Sequence, residues 1–133
     1  MPDEKDSVFP HGQKPGSLEL AFVGDSVYDL FVRAHVTLRG GKVHALSDKA
    51  VSVVNAASQA RALEKIEPLL TPEEKAIVKR ARNCRQTPTK HADPMDYARA
   101  TALEALMGYL YLTKQTERLN ELLRNATEME GSL

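Results

Sequence analysis

LELAFVGDSVYDLFVR, residues 18–33, has the apolar composition of a helix buried nearly all round, interrupted by a glycine and an aspartate in its middle. A carboxylate on an apolar helix is costly unless something pairs with it, and a mid-helix glycine costs about 1 kcal/mol relative to alanine. Gly24 and Asp25 are adjacent, so the two local penalties coincide. Their coincidence marks a candidate site on a core helix, and whatever completes that site must lie elsewhere in the chain.

Outward from this helix the apolar pattern keeps helical spacing throughout. The only β signal, VSVV at 51–54, falls inside a longer helical period, so the pattern predicts an all-α domain over residues 17–126. Ser17 can cap the first helix, which runs to about Leu38 and is broken by Arg39-Gly40-Gly41. Ser47 can open a second, with Val51, Val54, Ser58, Arg61 and Ala62 on its faces, to about Ile66. TPEE at 71–74 reads as a capping box, with Thr71 as N-cap, Pro72 at the first helical position and Glu74 reaching back, and starts a helix to about Ala81. DPMD at 93–96 starts another, capped by Asp93, to about Leu112; Thr116 opens a last one with Leu119, Leu122 and Leu123 inward. MPDEKDSVFPHGQKPG, residues 1–16, has no periodicity and reads as a flexible arm, and residues 127–133 as a C-terminal tail.

The chain has 133 residues, the size of one domain able to bury a core without staples. Its 18 basic and 18 acidic residues exclude a uniformly basic nucleic-acid binder, so charge has to be read segment by segment. One cysteine, Cys84, excludes an intramolecular disulfide, and no apolar run is long enough for a membrane span or a signal peptide. The expectation is a soluble cytoplasmic protein.

Glu104, in YARATALEALMGYLYL, repeats the anomaly of Asp25: an acid in a strongly apolar helix, with Gly108 one turn beyond on the same face. A glycine beside each acid permits close helix packing, so the two helices are expected to cross near their acids. Paired acids can share a proton as general acid and base, or share a hard cation such as Mg²⁺, an arrangement that suits phosphodiester chemistry. The bland alternative, two acids reaching solvent at helix edges, leaves both glycines unexplained.

Between Lys75 and Ala92 the chain carries Lys75, Lys79, Arg80, Arg82, Arg85, Lys90 and His91 with no acid among them. Charge runs are commonly solvated helix faces. This one continues through RNCRQTPTKH, a polar loop leading into the Glu104 helix, where a substrate-gripping loop would be useful. It lacks aromatics for stacking unpaired bases, which favours a duplex backbone as its partner.

VGDSVYDLF resembles the signature helix of the ribonuclease III family, and ALEALMGYLYL resembles the later helix that carries that family's second essential carboxylate. With the intervening RNCRQTPTKHADPMDYARAT, and with no double-stranded-RNA-binding domain after it, the chain is similar to the stand-alone Mini-III branch over roughly residues 17–124. The resemblance implies a helical homodimer that cuts double-stranded RNA with Mg²⁺ (Mn²⁺ as a substitute), leaving 5′-phosphate and 3′-hydroxyl ends. The branch implies maturation of 23S ribosomal RNA precursor ends. Asp25 and Glu104 fall on the family's catalytic, metal-binding acids. Val27, Phe31 and Val32 give the signature helix more apolar surface than one small core requires, which agrees with a dimer.

Two further acids of full-length family members are replaced here, by Ala21 and Thr101. Glu19 does not substitute, because six positions from Asp25 is about 120° round the helix. Thr101 lies on the face of Glu104 and can support the metal's surroundings through its hydroxyl, and Asp29, one turn after Asp25, is a second candidate for that role. Arg82, Asn83, Arg85 and Lys90 are candidates for RNA contact; His44 matches a branch position equally suited to capping. The competing readings are a metal-independent ribonuclease using histidines, which here show no helpful pairing, and a non-catalytic RNA- or ribosome-binding protein of the same fold. A pure binder gains nothing from two anions in an RNA groove.

Overall fold

The computed structural model describes residues 4–40, 42, 46, 54–84 and 93–133. His44, Ser47, Val51, Arg85 and Lys90 lie outside them. All regular structure among the described residues is helical. Five α-helices have their bounds among the described residues: α1 (Ser17–Leu38), α2 (Ala56–Ile66), α3 (Pro72–Arg82), α4 (Pro94–Leu112) and α5 (Thr116–Thr127).

The caps follow local chemistry. Thr71 Oγ1 accepts from the Glu74 amide at 3.1 Å while Glu74 Oε1 accepts from the Thr71 amide at 2.9 Å, closing the expected capping box. Asp93 Oδ1 accepts from the amides of Met95 and Asp96 at 2.9 and 3.1 Å. Two boundaries differ from expectation. Ser17 is the first residue of α1 rather than its cap, because the extended backbone ends at Gly16. Within the stretch expected as one helix from Ser47 to Ile66, Asn55 has extended backbone and a side-chain acceptor to the Ser58 amide (2.9 Å), which make it the N-cap of α2.

α4 is the central helix: α1, α2, α3 and α5 all pack against it. Ten of the eleven residues from Ala100 to Leu110 are buried, all but Glu104, so it has no solvent stripe in its middle. Each fully buried Leu there contributes about 1.5–3 kcal/mol of transfer free energy. Leu119, Leu122 and Leu123 of α5 point inward as expected. Val27, Phe31 and Val32 are also consumed by this core. The surplus apolar surface of α1 lies instead on Leu18, Phe22, Leu30 and Leu38.

Residues 4–16, expected as a flexible arm, are laid against the domain in two short 3₁₀ turns (Glu4–Val8 and Pro10–Gly12). Phe9 enters the core 6.3 Å from the Tyr109 ring, and Asp6 is buried with Oδ1 2.7 Å from the Tyr109 hydroxyl. That hydroxyl also meets Glu73 Oε1 at 2.8 Å, so one phenol ties the arm to α3 and α4. The tail is tied down too: the Leu133 amide donates to Asn120 Oδ1 at 2.7 Å. No helix among the described residues is long and apolar enough to cross a membrane.

Candidate active site

The two glycines explain how the two acids meet. A Cβ added to Gly24 would stand 1.6 Å from the Glu104 carbonyl oxygen, and one added to Gly108 would stand 2.0 Å from the Leu20 carbonyl oxygen. α1 and α4 therefore cross backbone on backbone at Gly24 and Gly108, an approach that any side chain would block. Asp25 follows Gly24 directly, and Glu104 supplies the carbonyl that Gly24 touches. The crossing expected from the sequence is present, and the acids lie beside it.

Asp25 is exposed and Glu104 half-buried, and both line the same groove. Burial, followed by the hydrogen bond and charge of Asp25, pushes the Glu104 carboxyl up to about 8. Two neighbouring carboxylates repel when both are ionised, and a proton or a cation shared between them relieves that repulsion. The buried Tyr28 is held as a neutral phenol: burial first and the Glu104 charge second raise it to about 12.

The pair lies in a groove of about 450 Å³ between α1, α2 and α4, lined by Leu18, Phe22, Gln59 and Tyr97 among others. Ala21 and Thr101, the positions where longer relatives of the resembled family carry further acids, are both on its wall. The Thr101 hydroxyl donates to the Tyr97 carbonyl at 3.0 Å. No third His, Cys, Asp or Glu joins the pair into a cluster among the described residues.

The other expected positions are more distant. Asp29 is outside the groove lining and is bound to Arg33 at 2.8 Å across one helical turn. Arg82 and Asn83 are exposed at the end of α3, continuing the exposed basic row of Lys75, Lys79 and Arg80. Arg82 faces Arg99 across a cleft that also includes Met95 and Ala98 of α4.

Sequence reading missed Gln59. It is 3% exposed, at the inner face of α2, and it lines the groove beside Glu104. Its amide faces the Glu104 carboxyl and moderates the rise in that group's pKa. Even so, Nε2 makes no hydrogen bond with any described residue, so the contact is a facing one rather than a closed bond. The signal was available: Leu63 and Ile66, four and seven positions on, put a polar residue on an apolar stripe, as at Asp25.

Residues 18–115 match the family model for the ribonuclease III domain. The chain is 43% identical over 113 residues to the Mini-ribonuclease 3 of Symbiobacterium thermophilum, covering 84% of this chain and 87% of the relative. It is likewise 43% identical over 110 residues to that of Streptococcus pneumoniae, covering 80% and 86%. Among solved structures, a crystal structure of a Fusobacterium nucleatum protein superposes with a TM-score of 0.78 at 35% identity, covering 84% of this chain and 91% of that one.

Proposed function

The chain belongs to the ribonuclease III family, alongside the Mini-ribonuclease 3 proteins, and is an endoribonuclease; on that premise we propose that Asp25 and Glu104 together hold Mg²⁺ for hydrolysis of double-stranded RNA. The observation that carries this reading is the glycine crossing, which fixes two carboxylates side by side in an open groove. The donor set fits a hard divalent cation: two carboxylates that repel when both are ionised, with a hydroxyl nearby and room for water and phosphate at the remaining positions. When bound, the cation would lower the pKa of attacking water and stabilise the leaving 3′ oxygen, giving 5′-phosphate and 3′-hydroxyl ends.

The protein's own groups then divide the work. Asp25 presents its carboxylate at the groove mouth and Glu104 deeper within it. Thr101 supports the site from the α4 side, and Asp29, engaged with Arg33, acts at most on the field around it. The exposed row Lys75, Lys79, Arg80 and Arg82, with Asn83 and, further along the sequence, Arg85 and Lys90, supplies phosphate contacts that set affinity and its salt dependence. The likeness to Mini-ribonuclease 3 proteins supports a cytoplasmic role in maturing 23S ribosomal RNA precursor ends.

A homodimer is part of the same reading. Phe22 and Leu30 are 81% and 59% exposed, and with Val27 and Tyr111 they line an apolar groove of about 500 Å³ on α1. Phe22 also lines the carboxylate groove, so a second copy seated on this face would stand next to the site. Two sites in one dimer let both strands of a duplex be cut.

Asp25→Asn and Glu104→Gln test the metal assignment. Each should keep the fold and duplex binding while lowering kcat by more than the roughly 10–100-fold that loss of a supporting outer partner costs. Near-wild-type cleavage by either variant at low Mg²⁺ and saturating duplex would remove that acid from the site.

A further inference from the structure

Three side chains in the groove form a series in depth: Asp25 is exposed, Glu104 half-buried, and Gln59 97% buried behind them. A primary amide placed there without a partner is costly, since an unsatisfied buried donor costs about 1–3 kcal/mol. Packing alone would place Leu or Met at this point, because the same face of α2 continues with the fully buried Leu63 and Ile66. Gln59 Nε2 is the one buried side-chain polar atom among the described residues that lacks a hydrogen bond. Gln59 lines the groove together with Glu104, and the acceptor its amide acts on is the Glu104 carboxyl.

We propose that Gln59 is a positioning residue, whose Nε2–H holds the Glu104 carboxylate in the orientation that meets a divalent cation. The inference rests on the reading of Asp25 and Glu104 as metal ligands. A direct contact from Gln59 to RNA is disfavoured by depth: a phosphodiester entering the groove meets Asp25 and Glu104 before it reaches a residue 3% exposed. In that positioning role Gln59 Nε2–H donates to a Glu104 carboxylate oxygen. Outer partners of this kind, which orient a metal-binding carboxylate, contribute roughly 10–100-fold to metal affinity or activity.

The test compares wild type, Gln59→Leu, Gln59→Met and Glu104→Gln by Mn²⁺ titration calorimetry without RNA, by melting in EDTA, and by steady-state cleavage of a long duplex. The expected result is that Gln59→Leu and Gln59→Met melt in EDTA at or above the wild-type temperature. Their Mn²⁺ affinity should fall roughly 10–100-fold, with a loss in kcat at little-changed KM for duplex. Gln59→Met keeps length and flexibility without the donor, so it carries the comparison if leucine disturbs packing. Mn²⁺ affinity and kcat within twofold of wild type in the folded variants, or a lowered melting temperature with affinity retained, would overturn the proposal. A raised KM at unchanged Mn²⁺ affinity would also overturn it, in favour of an RNA contact. Glu104→Gln separates the two failures: if it too keeps wild-type Mn²⁺ affinity, the metal reading itself falls, whereas if it loses affinity and the Gln59 variants do not, only Gln59 is misassigned.

Discussion

Glu104 holds a proton that the unfolded chain would release. Its ordinary value of 4.5 is raised to about 8 in the folded protein, first by burial and then by Asp25. Between these values the folded state binds more protons than the unfolded state, so stability falls as pH rises through that window and levels off above it. Glu104→Gln removes this titration and leaves the other groups in place. In EDTA the variant should therefore lose less stability than wild type between pH 5 and 8.5, and at pH 8 it should melt several degrees higher, about 1 kcal/mol moving Tm by roughly 2–8 °C in domains near this size. Parallel melting profiles would show that the carboxyl is not under this strain. Asp25 and Glu104 were both legible as anomalies in the sequence, because an acid on an apolar stripe is costly wherever the chain folds. Gln59 carries the same signal in weaker form: an uncharged amide on such a stripe is penalised less.

At the scale of elements, α1 and α4 are held at backbone contact by two glycines whose missing side chains let the helices cross beside Asp25 and Glu104. Gly24→Ala would put a methyl group 1.6 Å from the Glu104 carbonyl oxygen, and this neighbour is backbone that cannot rotate away. The helices must separate, at a cost of about 1–3 kcal/mol or more for overpacking, and the acids separate with them. Gly24→Ala should therefore lower Tm and reduce cleavage further than its loss of stability accounts for, measured well below its melting temperature. Gly108→Ala should do the same, since its added methyl would meet the Leu20 carbonyl at 2.0 Å. If either variant retains wild-type cleavage, the close crossing is not what sets the distance between the acids. Helix starts at Thr71 and Asp93 were readable because capping is local chemistry within four residues. The start of α2 at Asn55 was not, because the apolar period runs through it and a side-chain cap competes with helix continuation on nearly equal terms.

For the whole molecule, the feature that matters is the apolar face left open on α1. Phe22 and Leu30 lie eight positions apart on one stripe, with Tyr111 of α4 beside them. Phe22→Glu with Leu30→Glu should convert the proposed dimer to a monomer, seen as a halved mass by light scattering at micromolar concentration, with helical content retained. A wild-type mass already monomeric in an active preparation would sink the dimer. The double variant should also lose cleavage, because Phe22 borders the carboxylate groove as well as the apolar face.

By itself the sequence determined the all-α class, three of the helix starts, the two acids and the expectation that their helices cross at glycine. Each of these is written in local terms, as periodicity, a cap within one turn, or a costly residue on an apolar face. Only the tertiary structure decided which apolar residues of α1 were surplus. Val27, Phe31 and Val32 looked available for a partner but fill this chain's own core, while Phe22 and Leu30 are left outside, because α4 covers one side of α1 and nothing in its sequence says which. The same holds for the N-terminal arm. Its composition is that of a flexible segment, yet Phe9 and Asp6 find Tyr109, 103 positions from Asp6 along the chain, and a contact of that range exists only once the helices have assembled around it.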